Sequence, residues 1–323
     1  MDMIHVRAVS PPDLTDRAVE VLSRDPCVLN LVVQPGTVRN PDGDSIACDV
    51  LTGAANDVLR GLRGLRLDDR GSIVIEPVDM AFSGRAAEAG ARELGTLARA
   101  PVWDQVEARI RAEGTYAPSF YLYLVIAGLI GAVGIVTNSQ ILVVAAMVVG
   151  PEYGAIVSVA LGFDLGDRPR IKQGLLALLV GFLLAVVATF LFSLLIRGFG
   201  FESKAFSLGL RPVSTLINTP NFFSFAVAGL AGIVGIVSLT ESKTSALLGV
   251  FISVTTIPAA ADIGVSSAFS SWHEAWGSLV QLLVNIVVLI VVGTLTLKCQ
   301  RAIWKRVDRR SGRHNPGLTV AGH

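Results

Sequence analysis

Two carboxylates stand in stretches that are otherwise suited to hydrocarbon. Glu152 follows Pro151 directly, and Asp262 follows Pro258 by one helical turn. An unpaired carboxylate deep in a bilayer is costly, so each must be neutral, paired or in contact with water. Each is therefore a candidate proton or cation ligand. The neighbouring prolines add a second kind of chemistry, because a proline inside a helix removes a backbone donor and leaves carbonyl oxygens free to coordinate an ion or a polar solute. Thr255 and Thr256, just before Pro258, are placed to bond those carbonyls or to touch the solute. Gly150, Pro151, Glu152, Thr255, Thr256, Pro258 and Asp262 together form the candidate substrate or ion site. The competing reading makes the prolines simple kinks and Asp262 a hydrated group near an interface.

Two polar turns are candidate gates. Asn138-Ser139-Gln140 and Glu241-Ser242-Lys243 each join apolar segments at matching positions. The alternative is a pair of hydrated loops, with Glu241 and Lys243 forming a surface ion pair of small energy. No catalytic constellation is visible: His273 and Glu274 have no nucleophile or metal partner beside them. Cys27, Cys48 and Cys299 lack metal-ligand spacing and read as ordinary thiols. Neither an enzyme, a metal site nor a cofactor is expected.

The elements that must position these residues follow from composition. Of 323 residues, 52% are hydrophobic and 16% charged. The charge is uneven, dense over 1–114 and sparse over 117–298. Stretches of about twenty apolar residues are the length a helix needs to cross a bilayer. Six spans are expected near 117–137, 141–163, 173–198, 222–239, 244–265 and 278–297. The basic residues Arg168, Arg170 and Lys172, and the tail 299–323 with Arg301, Lys305 and Arg306, place both termini in the cytoplasm. The external loop 199–221 breaks the pattern with Lys204 and Arg211, as does Arg197 beside it. Met1–Asp13 has no apolar core of a secretory signal, so the first span is expected to direct insertion. The formal net charge of +1 gives no electrostatic case for nucleic acid.

Residues 1–80 read as strand Met3–Ser10, helix Asp13–Ser23, strands Cys27–Val38 and Ser45–Leu51 with a turn at Asn40–Asp44, helix Ala54–Leu65 and strand Ser72–Val78. That order is the ferredoxin-like α+β plan. Its expected role is assembly or ligand sensing. A linker, 81–116, ends in a helix after Pro101 with Val102, Trp103, Val106 and Ile110 on one face. It is expected to lie on the bilayer or against another subunit, the alternative being a solvated connector with an incidental apolar stripe.

An internal repeat organises the spans. Ala127-Gly128-Leu129-Ile130-Gly131-Ala132-Val133-Gly134-Ile135-Val136 returns as Ala228-Gly229-Leu230-Ala231-Gly232-Ile233-Val234-Gly235-Ile236-Val237. The glycines match throughout and read as helix-packing faces. The prolines Pro151 and Pro258 then recur in the second helix of each unit. Three crossings end on the side opposite their start, so tandem three-helix units, 117–198 and 222–297, must be inverted. Inverted repeats with interrupted helices point to transport through a midplane site.

The run Ala145-Ala146-Met147-Val148-Val149-Gly150-Pro151-Glu152-Tyr153-Gly154-Ala155-Ile156, supported by Asn218-Thr219-Pro220, resembles a prokaryotic membrane-protein family known as domain of unknown function 389. The likeness lies in an apolar run, a small residue, proline, two residues and glycine. It implies the helical architecture and a bacterial plasma membrane address, and no substrate. An apolar residue is expected after the signature proline, where this chain has Glu152. The leading expectation is a homo-oligomeric transporter or channel for an ion or small polar solute, with the lipid bilayer as its surroundings. The alternative is a membrane-anchored sensor or scaffold without transport.

Overall fold

The computed structural model describes residues 3–78, 83–90, 100–219, 221–241, 249–250, 252 and 254–310. The chain divides into two compact units, one of Met1–Val106 with Arg301–His323 and the other of Glu107–Gln300.

In the first unit, β1 (Met3–Ser10), α1 (Pro12–Ser23), β2 (Val28–Arg39), β3 (Asp42–Leu51), α2 (Ala55–Gly64), α3 (Leu67–Arg70) and β4 (Ser72–Val78) follow one another. The sheet order is β2-β3-β1-β4, and every neighbouring pair is antiparallel. That is the order a split β-α-β plan requires, since β1 and β2 flank the strand that returns between them. Strand alternation turns Ile4, Val6 and Ala8 to one buried face. Leu14, Ala18 and Leu22 of α1 and Val58, Leu59 and Leu62 of α2 complete the same core. Burial, together with the charge of Asp49, pushes the Cys48 thiol up to about 12, as suits a packing residue.

The hairpin differs from its expected form. The turn is confined to Asn40-Pro41, and Asp42–Asp44 belong to β3. The reason is Asp44, whose carboxylate accepts the Thr15 hydroxyl at 2.6 Å and the Gly36 N–H at 2.8 Å. Gly36 takes a positive φ of 64° in an irregular stretch of the β2–β3 pairing. Asp44 thus anchors the irregularity to α1, and the Thr15 and Gly36 donors hold its carboxyl below the usual range.

After α4 (Gly84–Ala89) comes α5 (Trp103–Glu113). Its start is fastened to the first unit: the Asn56 amide donates to the Pro101 carbonyl at 3.0 Å and accepts the Trp103 N–H at 3.1 Å, while Arg63 pairs with Asp104 at 2.6 Å. Val102 lies in the domain core. This docking uses part of the apolar stripe that was expected to meet lipid or another subunit. Trp304 and Val307 pack on the same core, and the Arg301 guanidinium lies 4.8 Å from the Trp103 ring centre.

The second unit contains α6 (Pro118–Val136), α7 (Gln140–Val149), α8 (Glu152–Leu165), α9 (Arg168–Phe199), α10 (Lys204–Ser207), α11 (Pro212–Asn218), α12 (Phe222–Thr240), α13 (Thr256–Ala268) and, as far as Gln300, α14 (Trp272–Arg310). Among the described residues four helices, α6, α9, α12 and α14, are long and apolar enough to cross a membrane. The pair α7 and α8, bent by 50° at its break, makes a fifth candidate span. Part of the expected span 244–265 lies outside the described residues. The last helix runs to Arg310, so residues 299–310, expected as tail, are helical.

The burial pattern of α9 is that of a lipid-facing helix. Its inward side carries Gly174, Ala177, Gly181, Ala185, Thr189 and Ser193, whereas Leu176, Leu179 and Leu183 are 61%, 67% and 60% exposed. Small and hydroxyl residues inside with large apolar residues outside is the arrangement a membrane selects, because lipid solvates leucine and close backbone approach drives helix association.

The repeated glycines serve that approach at five positions of six. A Cβ on Gly128 would lie 3.2 Å from Thr189, on Gly131 3.0 Å from Ala261, on Gly134 2.9 Å from Val143 and on Gly232 3.2 Å from Val292; on Gly235 it would collide with the Tyr153 hydroxyl. Gly229 has nothing within 4 Å. The expected packing role does not extend to that residue.

The basic residues of segment 199–221 also have a structural place. Arg197 donates to the Ala268 carbonyl at 2.6 Å, in the last turn of α13, where a cation complements the helix dipole. Arg211 meets Ser271 at 2.5 Å and Glu274 at 3.0 Å, with its guanidinium 4.3 Å from the Phe206 ring centre. Glu274, which stood alone in sequence, is therefore the partner of Arg211.

Candidate functional site

Pro151 and Pro258 do not kink helices from within. Gly150 leaves α7 with ψ 131°, Pro151 is the N-cap of α8, and Pro258 sits in the first turn of α13. A helix start has four N–H groups without intrahelical partners, so proline forfeits no bond there. The freed-carbonyl expectation gives way to another geometry: two helix starts inside one apolar unit.

These starts meet. The Thr256 hydroxyl, at the head of α13, donates to Glu152 Oε1, at the head of α8, over 2.6 Å. A Cβ on Gly150 would lie 2.7 Å from Ile257, so the absence of a side chain lets the α7–α8 break close on α13. Glu152 is 6% exposed, and its Oε2 has no hydrogen-bond partner among the described residues. Glu152 and Thr256 thus meet, Gly150 lies against Ile257 between them, Pro151 and Pro258 stand in the same two helix starts, and Thr255 bonds elsewhere. Its hydroxyl oxygen accepts from Asn285 Nδ2 at 3.0 Å, and Asn285 Oδ1 accepts from Gln281 Nε2 at 3.1 Å. Gln281 and Asn285 are each 2% exposed.

The two amides were not singled out by sequence reasoning as site residues. The available signal was their i, i+4 spacing within an apolar helix, which places both on one face. Buried amides in a bilayer require partners.

Asp262 belongs elsewhere. It lies six residues past Thr256, about 9 Å along the helix, and is fully buried. It accepts hydroxyl hydrogens from Ser278 at 2.6 Å, Ser214 at 2.7 Å and Ser266 at 3.3 Å. The carboxylate ties α11, α13 and α14 together, and the hydrated-interface reading fails because water is replaced by three serines. Its bonds are all to this serine set, away from Glu152.

The gate turns have structural duties. Asn138 adopts φ 54° and donates to the Leu210 carbonyl at 3.1 Å; Ser139 caps α7 by accepting the Leu142 N–H, and Gln140 is its first residue. Glu241 caps the end of α12. Ser242 and Lys243 lie outside the described residues. Among the thiols, Cys27 and Cys48 are buried and Cys299 is exposed.

Comparison with curated proteins and with solved structures returns no match. Residues 147–291 match the family model described as Domain of unknown function (DUF389). The match spans the Gly150-Pro151 break, Thr255 and Thr256, Asp262, Gln281 and Asn285, and leaves α6 and the first unit outside it. The segment holding the Glu152–Thr256 junction is thus the part of the chain that is similar to the DUF389 family.

Proposed function

We propose that the protein is a membrane transporter or channel that moves an ion or small polar solute past the junction of two broken helices. The observation that carries this reading is the Glu152–Thr256 hydrogen bond. It joins two helix N-termini inside an apolar unit, with one carboxylate oxygen lacking a hydrogen-bond partner among the described residues. Helix starts and interrupted spans at the bilayer midplane are where secondary transporters place their sites. A carboxyl there can carry a proton or receive a cation.

The six-span, 3+3 inverted arrangement is part of the proposal, and reciprocal packing supports it. Gly131, in the first helix of one unit, faces Ala261 in the broken helix of the other; Gly235, in the matching helix, faces Tyr153 in the first unit's broken helix. The third helices follow the same rule. A Cβ on Gly264 of α13 would meet the α9 backbone at Phe190, and one on Gly293 of α14 would lie 3.4 Å from Ala160 of α8. Each broken helix is thus clasped by helices of the opposite repeat, as a two-fold axis demands. The N-terminal unit is read as a ferredoxin-like assembly or sensing domain in the cytoplasm of a bacterial cell, and the protein as a homo-oligomer.

The test is flux into proteoliposomes as a function of pH, for wild type and Glu152→Gln. Flux whose pH dependence disappears in a folded Glu152→Gln variant supports the reading; unchanged pH dependence removes Glu152 from the mechanism. For the repeat, Gln140→Cys and Glu241→Cys in a Cys299→Ser background should react with impermeant maleimides from opposite sides. Reaction from the same side defeats the inversion. A protein that moves no solute in any condition leaves the sensor or scaffold as the better account.

A further inference from the structure

Beside the Glu152 junction lies a cavity of about 260 Å³, bounded by Asn221, Ser224, Thr255, Gln281 and Asn285, with Phe223 at its rim. It adjoins the other face of the Thr255-Thr256 pair, since Thr256 bonds Glu152 while Thr255 bonds Asn285. Its polar groups run in one direction. Gln281 Nε2 donates to Asn285 Oδ1 and Asn285 Nδ2 donates to Thr255 Oγ1, which leaves the Thr255 O–H able to donate onward. At the opposite end of this ladder Gln281 Oε1 is buried with no partner among the described residues. Buried amide oxygens in native structures are almost always satisfied, so this one calls for a donor.

Among the described residues, no ionisable side chain lines the cavity. A dehydrated cation would need several oxygen ligands, and two of the three ladder oxygens already accept amide hydrogens. An anion would meet Gln281 Oε1, which repels it. We infer that this cavity binds a small uncharged solute bearing hydroxyl or amide N–H groups, one of which donates to Gln281 Oε1 while the Thr255 hydroxyl donates to an oxygen of the same molecule. The inference rests on the transport reading for its purpose and names the solute class of that site.

The test uses the full chain in detergent with Ser224→Cys and Cys299→Ser. The rate of reaction with N-ethylmaleimide reports whether water reaches the cavity, and acetamide and glycerol serve as uncharged probes, with potassium chloride as the ionic control. The expected result is a reactive cysteine, slowed at least fivefold by one of the uncharged probes and unaffected by the salt. Adding Gln281→Met, which keeps the length of the side chain and suits an apolar helix, should abolish the protection. Asn221→Ala at the rim should weaken it and serves if the first variant does not fold. An unreactive cysteine, protection by the salt alone, or protection that survives both variants overturns the inference. Protection in a protein that carries no solute across proteoliposomes would leave the cavity assignment standing and remove transport. Ion flux without protection would do the reverse.

Discussion

Replacing Thr256 by valine probes the junction of the broken helices with little change of volume. The hydroxyl is buried, 1% exposed, and 2.6 Å from Glu152 Oε1. Because Oε2 already lacks a partner among the described residues, the variant strips the carboxyl of its side-chain hydrogen bond. A buried polar group left unpaired costs about 1–3 kcal/mol, whereas side-chain hydrogen bonds measured within a bilayer average about 0.6 kcal/mol and reach about 1.7 kcal/mol. Since Thr256 sits at a helix start, its hydroxyl has no carbonyl one turn earlier in its own helix to bond instead. The expected loss is therefore about 1–2 kcal/mol. Glu152→Leu should cost a similar amount by orphaning the hydroxyl. The double variant should lose less than the sum, because removing both partners removes the unpaired group as well. Reversible unfolding in mixed micelles, followed by tryptophan fluorescence, gives the cycle. A coupling energy of about 1–2 kcal/mol is expected; single losses that add within about 0.3–0.5 kcal/mol would refute the bond between the helix starts.

Four further outcomes follow from the geometry. Asp262→Ala should lower stability by about 2–5 kcal/mol, because Ser214 and Ser278 each lose a buried acceptor. Asp262→Asn keeps an oxygen and should lose much less in the same unfolding assay. Gly264→Ala should destabilise by about 1–3 kcal/mol as its Cβ meets the Phe190 N and Val186 carbonyl at 2.8 Å. Gly229→Ala, with open space around it, should be neutral or stabilise by up to about 1 kcal/mol through helix propensity. In the first unit, the Asp44 carboxyl is held below its ordinary value by Thr15 and Gly36. A depressed folded value means stability that is present above the unfolded value and is lost as pH falls through the folded one. Thr15→Val should therefore move acid-induced opening of that unit to higher pH, read by hydrogen exchange at β1 and β3.

Much of the architecture was legible along the chain. Short apolar and β-branched runs located β1 and β4 to the residue, and in β1 the buried positions Ile4, Val6 and Ala8 alternate with more exposed ones. Long apolar runs located α6, α9, α12 and α14, since a helix that meets lipid must be apolar over its whole length. Helix ends were less legible: α14 runs to Arg310, well past the apolar run, because helical hydrogen bonding does not stop where hydrophobicity does. Asp44 escaped the turn expected of Asn40–Asp44 for a similar reason, as its partners Thr15 and Gly36 are distant or backbone groups that local propensity ignores.

Sequence alone determined that carboxylates and prolines occupy an apolar region, and that two glycine-bearing helices repeat. It set Glu152, close to mid-span, apart from Asp262, which had the competing reading of a hydrated group near an interface, but it gave neither acid its partners. Only the tertiary structure did so, by surrounding Asp262 with three serines while giving Glu152 one threonine and leaving its Oε2 without a hydrogen-bond partner among the described residues. The physical reason is that a buried charge takes its meaning from the partners that replace water, and all of those but Ser266 come from helices 16 to 104 residues away along the chain.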